Sequence, residues 1–117
     1  MSRFRILFID EINARNHFKS FTVRFIGKLR SYLPGAHMGI MVDSDQRRNS
    51  AVRVDFQNVV DISLKSGSYY QIVGEALCDH TGPLTVRATL VRNVDGVDMK
   101  MYRQAVRDRR AYLNELS

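Results

Sequence analysis

Catalysis and metal binding both need side chains that converge, and few candidates in this chain are spaced to do so. His17, His37 and His80 fall in polar loop stretches or at strand starts, and none has a second His or a Cys at ligand spacing. Asp43-Ser44-Asp45 opens like a calcium loop, yet the glycine and distant glutamate that such a loop requires do not follow. The trio is expected in a hairpin turn instead. The one cysteine, Cys78, follows the apolar Ile72-Val73 and Ala76-Leu77 and reads as a thiol packed like a small hydrophobe. A single cysteine rules out a disulfide within the chain and suits a reducing compartment, cytosol or nucleus. Neither a glycine-rich phosphate loop nor a nucleophile elbow is present. The expectation is a non-catalytic protein with no metal and no cofactor.

Basic side chains are better placed. Arg24, Lys28 and Arg30, then Arg53, then Arg87 alternate with apolar residues, which puts them on the outer face of half-buried strands. Arg47 and Arg48 extend that surface in the polar loop 43–50. Eighteen Lys and Arg against twelve Asp and Glu give a formal charge of +6, a balance that favours polyanions, nucleic acid first among them. Holding a single strand takes positive charge along the phosphate track and aromatic faces for base stacking. Here the charge is present and the aromatics are few. Outside clear core and helix positions they are Phe18, Tyr32, Tyr69 and Tyr70, with no tryptophan. Arg24, Lys28, Arg30, Tyr32, Arg47, Arg48, Arg53 and Arg87 are therefore candidates for weak or auxiliary nucleic-acid contact.

The C-terminal stretch carries the stronger signal. Asp98 is a helix cap, and Met99, Tyr102, Val106, Arg109, Leu113 and Leu116 recur at three- and four-residue spacing after it. Alanines at 105 and 111 and the absence of Gly or Pro support a helix to about Glu115. Met101, Ala105 and Tyr112 widen the apolar stripe beyond what one seam needs, and Arg103, Arg107, Arg109 and Arg110 flank it. A helix that roofs the rest of the domain and also packs against a partner helix accounts for the width. The partner-binding candidates are Met99, Tyr102, Ala105, Val106, Arg109, Tyr112, Leu113 and Leu116.

These residues need elements to hold them. The length of 117 residues fits one domain, 1–117, and 44% hydrophobic with 26% charged residues places it among soluble globular chains. No run approaches the roughly 18 apolar residues of a membrane span. The N-terminal run of Ile6, Leu7, Phe8 and Ile9 stops at Asp10-Glu11, too short for a signal-peptide core, and is expected to form a buried strand reaching Ile12. Phe21, Val23, Phe25, Gly27 and Leu29 then alternate with Thr22, Arg24, Ile26, Lys28 and Arg30, a half-buried strand with a bulge or bend at Gly27. After the Pro34-Gly35 break come strands at Met38–Val42 and Val52–Phe56, a connector from Gln57 to Lys65 with room for a helical turn, and a strand from Tyr69 to Leu77 interrupted by Gly74. A last strand follows, its core face Leu84, Val86, Ala88 and Leu90. Five strands, two of them holding glycines, with one terminal helix, match the five-stranded Greek-key barrel of the OB-fold. The barrel is expected over about 5–93 and the C-terminal α-helix over about 98–115.

Three stretches then resemble a known family. Val23-Arg24-Phe25-Ile26-Gly27-Lys28-Leu29 looks like the first barrel strand of the small subunits of replication protein A-type complexes. Tyr70-Gln71-Ile72-Val73-Gly74-Glu75-Ala76-Leu77 resembles their fourth strand, and the segment from Met101 to Tyr112 is similar to the terminal helix of the smallest subunit of the CST telomere-capping complex. The resemblance implies a telomere-end protection factor in the nucleus, on the chromosome end. It implies a heterodimer with the middle CST subunit, itself an OB-fold, through pairing of C-terminal helices. A large subunit would supply most of the affinity for telomeric single-stranded DNA. Carried over, Tyr102, Ala105, Val106, Arg109, Tyr112 and Leu113 are the dimer-helix candidates. The loops depart from the pattern, since no aromatic stacking set can be placed in them. The small subunit of replication protein A, serving general replication and repair, and an independent single-strand-binding module are the alternatives.

Overall fold

The computed structural model describes residues 5–14, 20–43, 51–59, 62–77 and 84–115. Its strands are β1 (Arg5–Ile6), β2 (Phe21–Leu33), β3 (Met38–Val42), β4 (Ala51–Asp55), β5 (Tyr69–Leu77) and β6 (Thr85–Asn93), with helices α1 (Ile9–Ala14) and α2 (Met99–Glu115). β2, β3 and β4 pair antiparallel in sequence, β4 pairs parallel with β6, β6 pairs antiparallel with β5, and β5 returns antiparallel to β2. The five strands close into the Greek-key barrel of an OB-fold, as the alternation implied.

The barrel closes because β2 serves two neighbours. Its first part, Phe21 to Lys28, pairs with β5, and its last part, Lys28 to Leu33, pairs with β3. Gly27 sits at the handover, where a Cβ would stand 2.9 Å from Ile9 Cδ1 and 3.2 Å from the Val42 carbonyl. The expected irregularity falls slightly later, where Arg30 is the extra residue between the Leu29–Met41 and Ser31–Ile40 pairs. A second one lies between the Val73–Leu90 and Gly74–Ala88 pairs, leaving Thr89 as the extra residue on β6.

An extra residue inverts the alternation beyond it. This corrects two core assignments. Leu90, expected inside, is 56% exposed, and Val91 packs on the core instead. Past Arg30, Tyr32 packs on the core and Leu33 turns outward. Val23, Phe25, Leu29, Val54 and Val86 fill the interior as the period-two pattern indicated, joined by Met41 and Ile72. Ile26, placed on the outer face by that pattern, is nonetheless buried.

The N-terminus differs more. The expected strand to Ile12 is a two-residue parallel pairing of β1 with β2, followed by α1. Ile9 and Ile12, three apart, are both fully buried, so one helical face suits them better than alternate strand positions. Asp10 and Glu11 occupy the first turn, where the helix dipole favours acids, and Glu11 Oε1 accepts from the Phe8 N–H at 2.9 Å. The connector holds no helix among its described residues; Tyr70, wholly buried, accepts from the Lys65 N–H at 2.9 Å through its hydroxyl and pins it. At α2 the cap is as read: Asp98 Oδ1 accepts from the Met101 N–H at 3.1 Å.

Candidate functional site

α2 lies on the barrel with one face and leaves another open. At about 100° per residue, Met99, Tyr102, Val106 and Arg110 share one side of the helix, while Met101, Ala105 and Tyr112 share another. Met99 and Val106 are 8% and 6% exposed, held by the chain's own core. That corrects their assignment to a partner surface: an inward row of a helix roofing a barrel is spent on the barrel. Tyr102 also turns in, its ring edge-on to Phe8 at 6.4 Å between centroids. Burial raises its phenol above the ordinary value of 10.0, against the opposing pull of Arg24, Arg110 and Arg103.

The inward side carries charge as well. Arg110 grips Glu11 with both arms, at 3.0 Å (Nη1 to Oε2) and 2.9 Å (Nη2 to Oε1), and donates to the Ile6 carbonyl at 2.8 Å. The hydrogen bond with Glu11 holds the guanidinium pKa above its ordinary value, against the opposing effect of burial. Two turns earlier, Arg103 pairs with Asp43 at the end of β3. Asp43 is thus no solvated hairpin residue; it is buried, 6% exposed, by this contact. Between the two pairs lies the Phe8 ring, with the guanidinium carbons of Arg103, Arg110 and Arg107 at 4.8, 5.1 and 6.0 Å from its centroid.

The outer side is open and carries exposed apolar residues among polar ones. Met101 is 70% exposed and Tyr112 61%, with Ala105 and Asp108 exposed in the same row and Arg109 at its edge, while Leu113, 50% exposed, follows Val106 by two turns at the far end of the inward row. Exposed large apolar residues in one row mark an interaction surface where scattered ones do not. Leu116 lies outside the described residues.

The basic candidates do not form one patch. Arg24 is drawn under α2: with the Gln71 amide oxygen facing it, it donates to that oxygen at 2.7 and 2.8 Å. Tyr32 is half-buried and packs in a T-shaped contact with Phe56 at 5.9 Å, so its ring is partly taken up by the core. Arg87 is exposed but stands in register between Asp55 on β4 and Glu75 on β5. Lys28, Arg30 and Arg53 remain exposed on the β2–β4 side, and Arg53 borders an open groove of about 280 Å³ whose other walls include Leu33, Met38 and Ile40. Arg47 and Arg48 lie outside the described residues, as do His17, Phe18, Cys78 and His80. Among the described residues no cluster of His, Cys, Asp or Glu is arranged to hold a metal ion, and no helix is long and apolar enough to cross a membrane.

This chain, a barrel with an open-faced terminal helix, matches one family model over residues 2–116, that of the telomere-capping CST complex subunit. The chain belongs to this CST subunit family. It is 30% identical over 95 residues to the CST complex subunit TEN1 of Arabidopsis thaliana, covering 80% of this chain and 72% of that one. Among solved structures it is similar to the telomere capping protein Ten1 of Saccharomyces pombe, with a TM-score of 0.72 at 26% identity over 93% of this chain and 99% of the other. A chain of the S. pombe Stn1–Ten1 complex superposes with a TM-score of 0.73 at 26% identity, covering 94% of each.

For this CST subunit, the sequence placed the terminal helix where the structure has it, and merged its two sides. It missed Phe8, Glu11, Asp43, Arg103 and Arg110 as parts of the helix seat. A signal was available: Arg103 and Arg110 are seven apart and fall in the same row as Met99 and Val106. A charged residue in an inward row requires a carboxylate opposite it.

Proposed function

We propose that this chain is the non-catalytic OB-fold subunit of a telomere-capping complex, and that it heterodimerises with a second, middle OB-fold subunit through the outer face of α2. One observation carries this reading: the row of Met101, Ala105 and Tyr112, with Arg109 at its edge, is exposed on a helix whose other side already has its barrel. A helix face of this kind pairs with an apolar helix of the partner, with Tyr, Met and Arg as the contact types. The S. pombe relative is found in an Stn1–Ten1 complex, and the same kind of pairing is inferred here.

In this reading the nucleus and the telomeric chromosome end are the place of action. Affinity for telomeric single-stranded DNA comes mainly from a large subunit, with Lys28, Arg30 and Arg53 adding weak backbone contact. The test is to mix the full chain with the middle subunit of its own complex and measure mass by light scattering after gel filtration. A one-to-one complex is expected. Two separately eluting species at micromolar concentration would refute the reading.

A further inference from the structure

The seat of α2 relies on charge as much as on apolar area. Among its described residues only Met99 and Val106 are buried hydrophobics, and a helix of this length is marginal alone in water. Apolar contact is non-directional, so these two, with the half-buried Tyr102 ring against Phe8, hold the helix down without fixing its rotation. Rolling by one residue, about 100°, would turn Met101 and Tyr112 away from a partner.

Directional contacts oppose that roll. Arg103 reaches Asp43 at the end of β3, and Arg110 reaches Glu11 in α1 and the Ile6 carbonyl of β1. The two arginines are seven residues apart, two turns along one row. Their anchors come from distant parts of the chain, and Phe8 fills the space between them. Glu11 is itself fixed by accepting from the Phe8 N–H at 2.9 Å. The bidentate grip of Arg110 on Glu11 is angularly selective in a way that methyl contact is not, the buried Arg103–Asp43 contact adds a second fixed point, and setting register is the best-attested use of such pairs.

We propose that Asp43–Arg103 and Glu11–Arg110 are positioning pairs that set the rotation of α2 on the barrel, so that Met101, Ala105 and Tyr112 emerge as one stripe toward the partner. The proposal rests on the partner interface inferred above. Neither pair faces the partner, yet affinity depends on both.

The experiment uses the full chain with E11Q/R110M, with D43N/R103M, and with the four substitutions combined. Glu11→Gln keeps the acceptor for the Phe8 N–H, and methionine keeps helix propensity at 103 and 110. Amide hydrogen exchange of the unbound chain is read separately for α2 and for β2 to β6. E11Q/R110M, at a half-exposed pair that the barrel does not need, is expected to speed α2 exchange about tenfold while the barrel amides stay within twofold. The combined variant is expected to bind the middle subunit at least about tenfold more weakly, because only the correctly seated fraction is competent. Exchange rising equally in barrel and helix would overturn the proposal, since it marks general stability alone. Unchanged affinity of the combined variant would overturn it too. M101E/Y112E is measured alongside: wild-type affinity there removes the outer-face reading and with it the affinity claim, while α2 exchange in the unbound chain still decides whether the pairs seat the helix.

Discussion

Truncating α2 on its two sides should produce opposite phenotypes. Tyr112 is 61% exposed, and an aromatic side chain presents roughly 150–250 Å², so about 120 Å² of its surface is free to be covered. At ~25 cal/mol per Å² that area is worth up to about 3 kcal/mol. Binding costs reduce the yield, and a central anchor typically loses about 2 kcal/mol or more on truncation. Tyr112→Ala is therefore expected to weaken the heterodimer roughly 30- to 100-fold. The stability of the unbound chain should change by less than ~0.5 kcal/mol, as for other surface substitutions. Val106→Ala removes methyls from a site 6% exposed and should cost about 1–2 kcal/mol of folding or helix seating. Its effect on affinity should be indirect and smaller. Isothermal titration against the middle subunit gives the first quantity and urea unfolding the second. If Tyr112→Ala leaves affinity unchanged while Val106→Ala abolishes binding without loss of stability, the assignment of inner and outer sides is wrong.

Gly74→Ala should destabilise the barrel by about 3 kcal/mol or more, since the new Cβ would stand 2.3 Å from the Arg87 carbonyl oxygen and only backbone can move aside; a urea midpoint close to wild type would show that β6 yields freely. Asp95 accepts from the Tyr69 N–H at 2.8 Å and the Asn93 amide at 3.2 Å, which holds its carboxyl below the ordinary 3.8. A lowered folded value contributes stability above the unfolded value and loses it as pH falls through the folded one, so Asp95→Asn should flatten stability below about pH 4. Superimposable acid-unfolding curves of the two proteins would contradict this. The unbound chain should bind single-stranded oligonucleotide weakly, with a slope of log K on log salt no steeper than about −2, for three phosphates met by Lys28, Arg30 and Arg53. A much steeper slope would mean that a larger basic surface is in use.

The barrel was legible because its strands obey one rule along most of their length. Val23, Phe25 and Leu29 alternate with polar neighbours, and alternation is a property of local sequence. The failures sit where a single extra residue changes the rule. Nothing in the residue types of Arg30 or Thr89 marks them as bulges, because a bulge is decided by the length of the partner strand. The N-terminal run misled for a related reason. A short apolar run serves a helix and a strand equally well, and only Asp10-Glu11 with the three-residue spacing of Ile9 and Ile12 favoured the helix. Asp43 was illegible. Whether a carboxylate in a turn meets water or a buried arginine depends on a residue sixty positions away.

The two sides of α2 also bear on how an OB-fold divides its work. The fold usually meets nucleic acid on its outer strands and loops with aromatic faces and positive charge. Here, among the described residues, Tyr32 packs against Phe56 and Arg24 donates to Gln71. Of the described residues, the aromatic that stands most open is Tyr112, on α2. Aromatic surface is what both base stacking and protein interfaces draw on, so its placement separates the two uses. A chain that turns its open aromatic to the outer side of a helix, and clamps the inner side with Asp43–Arg103 and Glu11–Arg110, is organised to present that helix in one orientation. On the proposed reading, the N-terminal segment shapes the interface through α2 without itself forming it. Substitutions at Phe8 or Glu11 should be read as interface substitutions when the complex, and not the barrel, is what fails.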